Sequence, residues 1–312
     1  MLSADCVDSE SGPWLTSHVP RCSLLITDLD NTVWDWFAIW HGSFSALLAE
    51  TSRISGVSLE QLEIEAKAVH QRHGTTEYAL LLEELPSLQV LHPGADIPKL
   101  YDEAIHAHRR ARKELIRLYD GVQETLQHVR EAGVQVIGFT ESMAFYTSDR
   151  MRRTGLDELL DYLYSAPDHD FPSGVTPEIL RKYPPAHYEL RRTEHRHTPR
   201  GARKPDRALL EKIIADAGVS REYVVYVGDS LMKDVAMGKA AGVHAVLAEY
   251  GVAHKKEEYA LLVSVTHWTD ADVERERQTT KEKVEPSYVI QSFKELLDLF
   301  EFAPEAKAPS LR

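Results

Sequence analysis

Cysteine is nearly absent: the 312 residues contain only Cys6 and Cys22, without the paired spacing of a zinc site. That excludes a disulfide framework and suits a reducing, cytoplasmic compartment. Long apolar runs are lacking too. No stretch has the form of a signal peptide or a membrane-spanning helix, so no membrane association is expected. Positive charge is in deficit, with 36 Lys and Arg against 49 Asp and Glu and a formal net charge of −13. Phosphate backbones need a basic surface, so nucleic acid is not an expected partner; a small anion remains acceptable where a cation or local basic groups meet it. Internal repeats and low-complexity tracts are missing as well. Apolar residues are present in ordinary measure, 43%, enough at this length to bury a core without staples.

The organisation is legible from periodicity. Residues 1–20 carry Asp5, Asp8 and Glu10 ahead of any basic residue and read as an N-terminal extension. "SLLITD" then has the form of a short buried strand ending at Asp28. Between 34 and 119 the pattern turns helical in "FSALLAE", "LEQLEIEAKAV" and "TEYALLLEEL", with Ser58 and Gln61 as a candidate capping box. Beyond Asp120, strands ("VQVIGFT", "YVVYVGD", "VHAVLA") alternate with helices ("VQETLQHVREAG", "DRALLEKIIADAG", "KDVAMGKAAG"), and "SYVI" and "SFKELLDLF" follow. This predicts an α/β fold, a Rossmann-like parallel sheet with helices on both faces, formed by 21–33 and 120–302, with a small all-helical cap, 34–119, inserted after the first strand. Residues 167–203 are too long for an ordinary connection and read as an inserted loop or lid. A charged stretch from about His254 to Pro286 reads as a solvated helix and loop, and 303–312 as a tail.

The strand ends carry the chemistry. Asp28 and Asp30 close the first strand, Thr140 closes "VQVIGF", Asp229 closes "YVVYVG", and Lys204 precedes a helix. In a parallel sheet these ends converge where open α/β sheets bind ligands. Three carboxylates make a hard-oxygen environment that suits Mg²⁺ rather than zinc. A carboxylate kept ionised there is a candidate nucleophile towards phosphorus, and one two residues later can protonate the leaving oxygen.

"DLDNT", "FTES", "KPD" and "GDSLMKD", in that order, resemble the four motifs of the haloacid dehalogenase superfamily of phosphohydrolases, of the phosphoglycolate-phosphatase-like kind, over roughly residues 22 to 300. The resemblance implies roles. Asp28 matches the nucleophile, and Asp30 the general acid/base whose main-chain carbonyl also meets the metal. Thr140 and Lys204 match the groups that bind and neutralise the phosphoryl group, with Asn31 and Glu141 expected beside them as phosphate contacts. Asp229 matches the acidic metal ligand, and Asp234 a supporting carboxylate that orders the metal's water shell or Lys204. The implied activity is Mg²⁺-dependent hydrolysis of a small phosphorylated metabolite through an aspartyl-phosphate, with an oligomer compatible. The intact pair Asp28 and Asp30 favours phosphoryl transfer over dehalogenation, whose ester to carbon has no leaving group for the second aspartate to protonate. A phosphonate hydrolase would need a cap amine, and nothing around Lys67 or Lys99 argues for a depressed pKa. A mutase shares every residue above, and a non-catalytic phospho-ligand-binding module would be expected to lose the carboxylates.

Other clusters have bland readings beside the functional ones. His195 and His197 in "EHRH" are metal-ligand candidates in what reads as a solvated loop. Arg191, Arg192, Arg196, Arg200 and Arg203 form either an anion-reading lid or a solvated face. "HAHRRARK", from His106 to Lys113, reads as an exposed helix face. Trp34, Trp36, Phe37 and Trp40 either wall the substrate's path or fill the cap core.

Overall fold

The computed structural model describes residues 19–181, 183–252, 259–267, 274 and 284–305. Its strands are β1 (Arg21–Cys22), β2 (Leu24–Thr27), β3 (Gln135–Met143), β4 (Tyr162–Ala166), β5 (Glu194–His197), β6 (Val224–Gly228), β7 (His244–Ala248), β8 (Tyr288–Ile290) and β9 (Glu301–Phe302). The α-helices are α1 (Trp36–Ser55), α2 (Leu59–His73), α3 (Pro86–Leu91), α4 (Ile97–Leu100), α5 (Asp102–Leu115), α6 (Val122–Glu131), α7 (Ala144–Thr154), α8 (Pro177–Leu180), α9 (Arg207–Ala217), α10 (Ala236–Ala241), α11 (Tyr259–Val265) and α12 (Leu296–Leu299). None of the described helices is long and apolar enough to cross a membrane.

Seven strands form one parallel sheet in the order β5-β4-β3-β2-β6-β7-β8, with β1 and β9 paired apart from it. Side chains alternate across a strand, so a strand apolar throughout must be covered twice. On one face Leu25 packs with Val122, Leu126 and Val129 of α6; on the other Leu24 and Ile26 meet Leu210, Ile213 and Ile214 of α9 and Met237 of α10. Full burial of such a side chain contributes about 1.5–3 kcal/mol. The flanking helices have sharp ends. Asp206 accepts a hydrogen bond from Leu209 N at 3.0 Å to open α9, and Gly218, at φ 69°, closes it. From β2 the chain builds outward through β3, β4 and β5, then returns to add β6, β7 and β8 on the other side. The carboxyl end of β2 therefore lies at the topological switch point, where a crevice opens.

Residues of α1 to α5 make a second core around Trp40, Phe44, Leu62, Leu85, Leu88 and Tyr101. Asp35 caps α1 by accepting from Ala38 N at 2.9 Å, and Ser58 caps α2 by accepting from Gln61 N at 3.3 Å. Gln61 turns its amide to Glu65 instead of back to the cap, so half of the expected capping box forms.

Three sequence expectations need correction. "TEYALLLEEL" is turns and a short 3₁₀ segment at Leu82–Glu84, because Leu80, Leu81 and Leu82 are buried in succession, which a one-sided helix cannot do, and Pro86 keeps Leu85 out of helical geometry. The segment after His254 is not wholly solvated. In α11, Leu262 and Val265 enter the helical core, and the Val265 carbonyl accepts from His70 Nδ1 at 2.7 Å. Much of the rest of that segment lies outside the described residues, as do residues 1–18 and 306–312. Finally, "EHRH" is no loop. It is β5, which satisfies the free edge of β4, and the turn before it is pinned where Asp157 accepts from the backbone N–H groups of Arg191, Arg192 and Thr193.

Candidate active site

The crevice at the carboxyl end of β2 and β6 is a cleft of about 780 Å³. Asp28, Asp30, Thr140, Lys204 and Asp229 all line it, as does Trp36 from the helical insertion. Asp28 continues the β2 ladder, its N–H donating to Val227 O at 2.8 Å, and is itself buried. Its Oδ1 takes a 2.5 Å hydrogen bond from Lys204 Nζ, and its Oδ2 one from Thr32 Oγ1 at 3.3 Å. Lys204 also donates to Asp234 Oδ1 at 2.9 Å, which in turn accepts from the Tyr226 hydroxyl at 2.9 Å, while Asp234 Oδ2 accepts from Ser230 N at 3.2 Å. Asp234 thus holds Lys204, one of the two roles expected for it. Gly228 makes this packing possible, since a Cβ there would lie 2.3 Å from the Asp234 carboxyl carbon.

Oxygens of Asp28, Asp229 and Asp234 come within 4.8 Å of one another. Among the described residues, none donates a hydrogen bond to the Asp229 carboxylate. Burial, partly offset by Lys204, and repulsion from Asp234 and Asp30 push the Asp28 carboxyl up to about 7. Burial and the neighbouring Asp28 and Asp234 likewise raise Asp229 well above the ordinary carboxylate range. Burial alone would discharge Lys204, but Asp234 and Asp28 outweigh it and hold the ammonium protonated. When all three are ionised, the carboxylates outweigh the one lysine by two negative charges, and hard oxygens are what divalent cations of the Mg²⁺ type take. The residues fit a metal ion.

Asp30 points to a different set of partners. Trp34 Nε1 (2.7 Å) and Arg150 Nη1 (3.1 Å) donate to its Oδ1, and the hydroxyls of Ser142 (2.5 Å) and Thr140 (3.3 Å) to its Oδ2. Thr140 Oγ1 also accepts from Ser142 N at 3.0 Å. The two residues expected as phosphate contacts also have partners within the protein. Glu141 is a carboxylate paired with Lys233 Nζ at 2.6 Å and accepting from Lys204 N at 2.9 Å; burial works against its charge, but Lys233 holds its pKa low, so its side chain repels a phosphate. It braces the lysine-bearing loop instead. Asn31, at φ 59°, spends its Oδ1 on Phe37 N (2.9 Å) at the start of α1, which ties the helical insertion to the β2 turn. Gly251 lets the chain approach that turn: a Cβ there would overlap Asn31 O.

The aromatic cluster divides. Trp34 is core and serves Asp30, Phe37 and Trp40 fill the helical core, and Trp36 lines the cleft. Of the five arginines, Arg200 and Arg203 line the cleft, whereas Arg196 lies over the Tyr162 ring at 4.1 Å. His195 bonds the Ser165 hydroxyl at 2.7 Å, belongs to no metal-ligating group among the described residues, and is pulled down to about 4 by burial and by His197. Sequence reasoning missed Arg150, Glu77, Ser142, Tyr226 and Lys233. Lys233 stands inside "GDSLMKD" and was within reach of it; nothing local marks Arg150.

A family model described as haloacid dehalogenase-like hydrolase matches residues 25–181, and one described as HAD-hydrolase-like matches residues 201–296. The chain belongs to the haloacid dehalogenase-like hydrolases. No curated protein sequence matches it. Solved structures similar to it include a 2-haloacid dehalogenase from Pseudomonas syringae pv. Tomato, at 20% identity over 89% of this chain and 98% of that one with a TM-score of 0.49. A predicted phosphoglycolate phosphatase from Haemophilus somnus is 15% identical over 89% of this chain and 97% of that one, with a TM-score of 0.46. At these distances neither likeness assigns a substrate.

Proposed function

We propose that this hydrolase cleaves small phosphomonoesters by way of a phosphoryl group carried on Asp28. The observation that carries the reading is the division of labour between two carboxylates on one cleft. Asp28 is held against Lys204 among the acidic residues, and Asp30 is turned to a separate set of donors. Dehalogenation has no leaving oxygen for a second aspartate to protonate.

Asp28, Asp229 and the main-chain carbonyl of Asp30 are the groups that would hold Mg²⁺, which when bound would neutralise charge on the phosphoryl oxygens. An Asp28 oxygen attacks phosphorus, the bond from phosphorus to the ester oxygen breaks, and Asp30 passes its proton to that departing oxygen. Lys204 favours the ionised form of the attacking carboxylate against the burial that opposes it, and offsets charge on the phosphoryl group. Asp30, now a carboxylate, takes a proton from water as the water attacks phosphorus, releasing inorganic phosphate and restoring Asp28. A cleft of about 780 Å³ is the size of small-molecule sites, which supports a soluble phosphorylated metabolite as substrate. The buried free thiol of Cys22 is in keeping with a cytoplasmic setting.

The test is release of inorganic phosphate from 4-nitrophenyl phosphate and from a panel of phosphorylated metabolites, with and without Mg²⁺. Metal-dependent turnover abolished by Asp28→Asn is expected. No release from any phosphomonoester, or an undiminished Asp28→Asn variant, contradicts the reading.

A further inference from the structure

The four donors around Asp30 are of two kinds. Trp34 Nε1 and Arg150 Nη1, both on Oδ1, can only donate. The Thr140 and Ser142 hydroxyls, both on Oδ2, can turn and accept. A proton on Oδ1 would face two N–H groups with nowhere to go. A proton on Oδ2 can be received by either hydroxyl, or by a leaving oxygen in the cleft that Thr140 and Ser142 also line.

Arg150 is built to hold that asymmetry. Its side chain is 1% exposed on α7, with Nη1 on Asp30 and Nη2 paired with Glu77. Glu77 belongs to the segment after α2 that lines the cleft with His73, Gly74, Thr75 and Thr76. Burial works against the guanidinium charge, but Glu77 and then Asp30 keep it protonated. An unpaired buried arginine is costly, so the two carboxylates and the arginine hold one another.

We infer that Arg150 is a positioning residue that clamps Asp30 by Oδ1, with Glu77 of the helical insertion as its counter-anchor, so that Oδ2 is the oxygen that carries the leaving-group proton. This deepens the proposed function and rests on the acid/base reading of Asp30. It also gives the segment over the cleft a hold on the proton that the chemistry needs.

The experiment uses the Mg²⁺-loaded enzyme and two probes of similar shape, 4-nitrophenyl phosphate, whose phenolate leaves with little need of a proton, and phenyl phosphate, whose phenolate needs one more. In Glu77→Gln and Arg150→Met, kcat on phenyl phosphate is expected to fall about tenfold further than on 4-nitrophenyl phosphate, with KM little changed. Arg150→Lys, which keeps one donor, should fall between. Should Arg150→Met fail to fold, Glu77→Gln and Arg150→Lys carry the test. In isotope-edited NMR of the metal-free protein, the Trp34 indole N–H resonance, which reports on Oδ1, is expected to move in Glu77→Gln. Equal loss on both probes, or an unmoved Trp34 resonance, overturns the clamp. If Asp28→Asn is inactive while these variants show no leaving-group dependence, the inference fails alone; if Asp28→Asn stays active, the underlying reading fails with it.

Discussion

The floor of the cleft and the helical insertion that reaches it are built on opposite terms. On the floor, charged groups are buried or half-buried and most have a fixed partner: Lys204 joins Asp28 to Asp234, Lys233 holds Glu141, and Arg150 holds Asp30. In the insertion the core is mainly apolar and aromatic, with Trp40 stacked on Phe44 at 5.3 Å, and buried polar groups such as His70 and Glu65 are tied to nearby backbone and hydroxyl groups. A charge network of this kind tolerates little substitution, because removing one partner leaves the other buried and unpaired. An apolar core accepts repacking. On the proposed function, the floor would set the reaction and the insertion would select what reaches it.

The largest effect that would test this division is Asp28→Asn. Turnover is expected to drop on the order of 10⁴-fold or more on every substrate alike, as for loss of other enzymic nucleophiles. A loss confined to some substrates would mean that Asp28 selects as well as reacts. Next comes the metal's effect on stability. The Asp28 carboxyl is raised from 3.8 to about 7, so the ionised form is penalised in the fold. That penalty is nil below about pH 4, grows between about pH 4 and 7, and is complete above 7. Mg²⁺ needs the ionised form and relieves the penalty. At a hundred times its dissociation constant it should add about 2.7 kcal/mol, a rise in Tm of roughly 4 °C for a chain of this length. Thermal scans should show a larger Mg²⁺ increment at pH 7.5 than at pH 5; a reversed order would mean that the acidic group is not where the metal sits.

How these residues could be read from sequence follows the same division. Asp28, Asp30, Thr140 and Asp229 lie at strand ends inside short motifs, so local pattern names them and parallel pairing brings them together. Asp30 and Arg150 are 120 residues apart, and Arg150 and Glu77 are 73 apart. No local periodicity records such a contact. The same holds for His70 and Val265, 195 residues apart, whose contact puts α11 into the helical core although its surroundings read as solvated. Glu141 is a different case. Its place beside Thr140 was legible, but its charge was already committed to Lys233.

Smaller effects test the insertion. Trp36 lines the cleft and stacks on Trp40 at 5.9 Å. Trp36→Ala should raise KM for the preferred substrate, by about 1–3 kcal/mol of lost contact, and leave kcat nearly intact. A fall in kcat at constant KM would move Trp36 into the chemistry. The smallest effect is expected of Arg192→Ala. Its side chain pairs with Glu158 at the surface at 3.2 Å, so stability should change by less than about 1 kcal/mol and kinetics not at all. Altered substrate preference would restore a role in anion reading to that stretch.

The most direct measurement is chemical capture of the phosphorylated carboxylate. Enzyme turning over 4-nitrophenyl phosphate with Mg²⁺ is quenched, reduced with borohydride, digested and mapped by mass spectrometry. Borohydride reduces an acyl phosphate to the alcohol, so homoserine is expected at position 28 and is expected to be missing when substrate is omitted. An enzyme that is active yet shows an unmodified Asp28, or homoserine at another aspartate, would contradict Asp28 as the residue that carries the phosphoryl group.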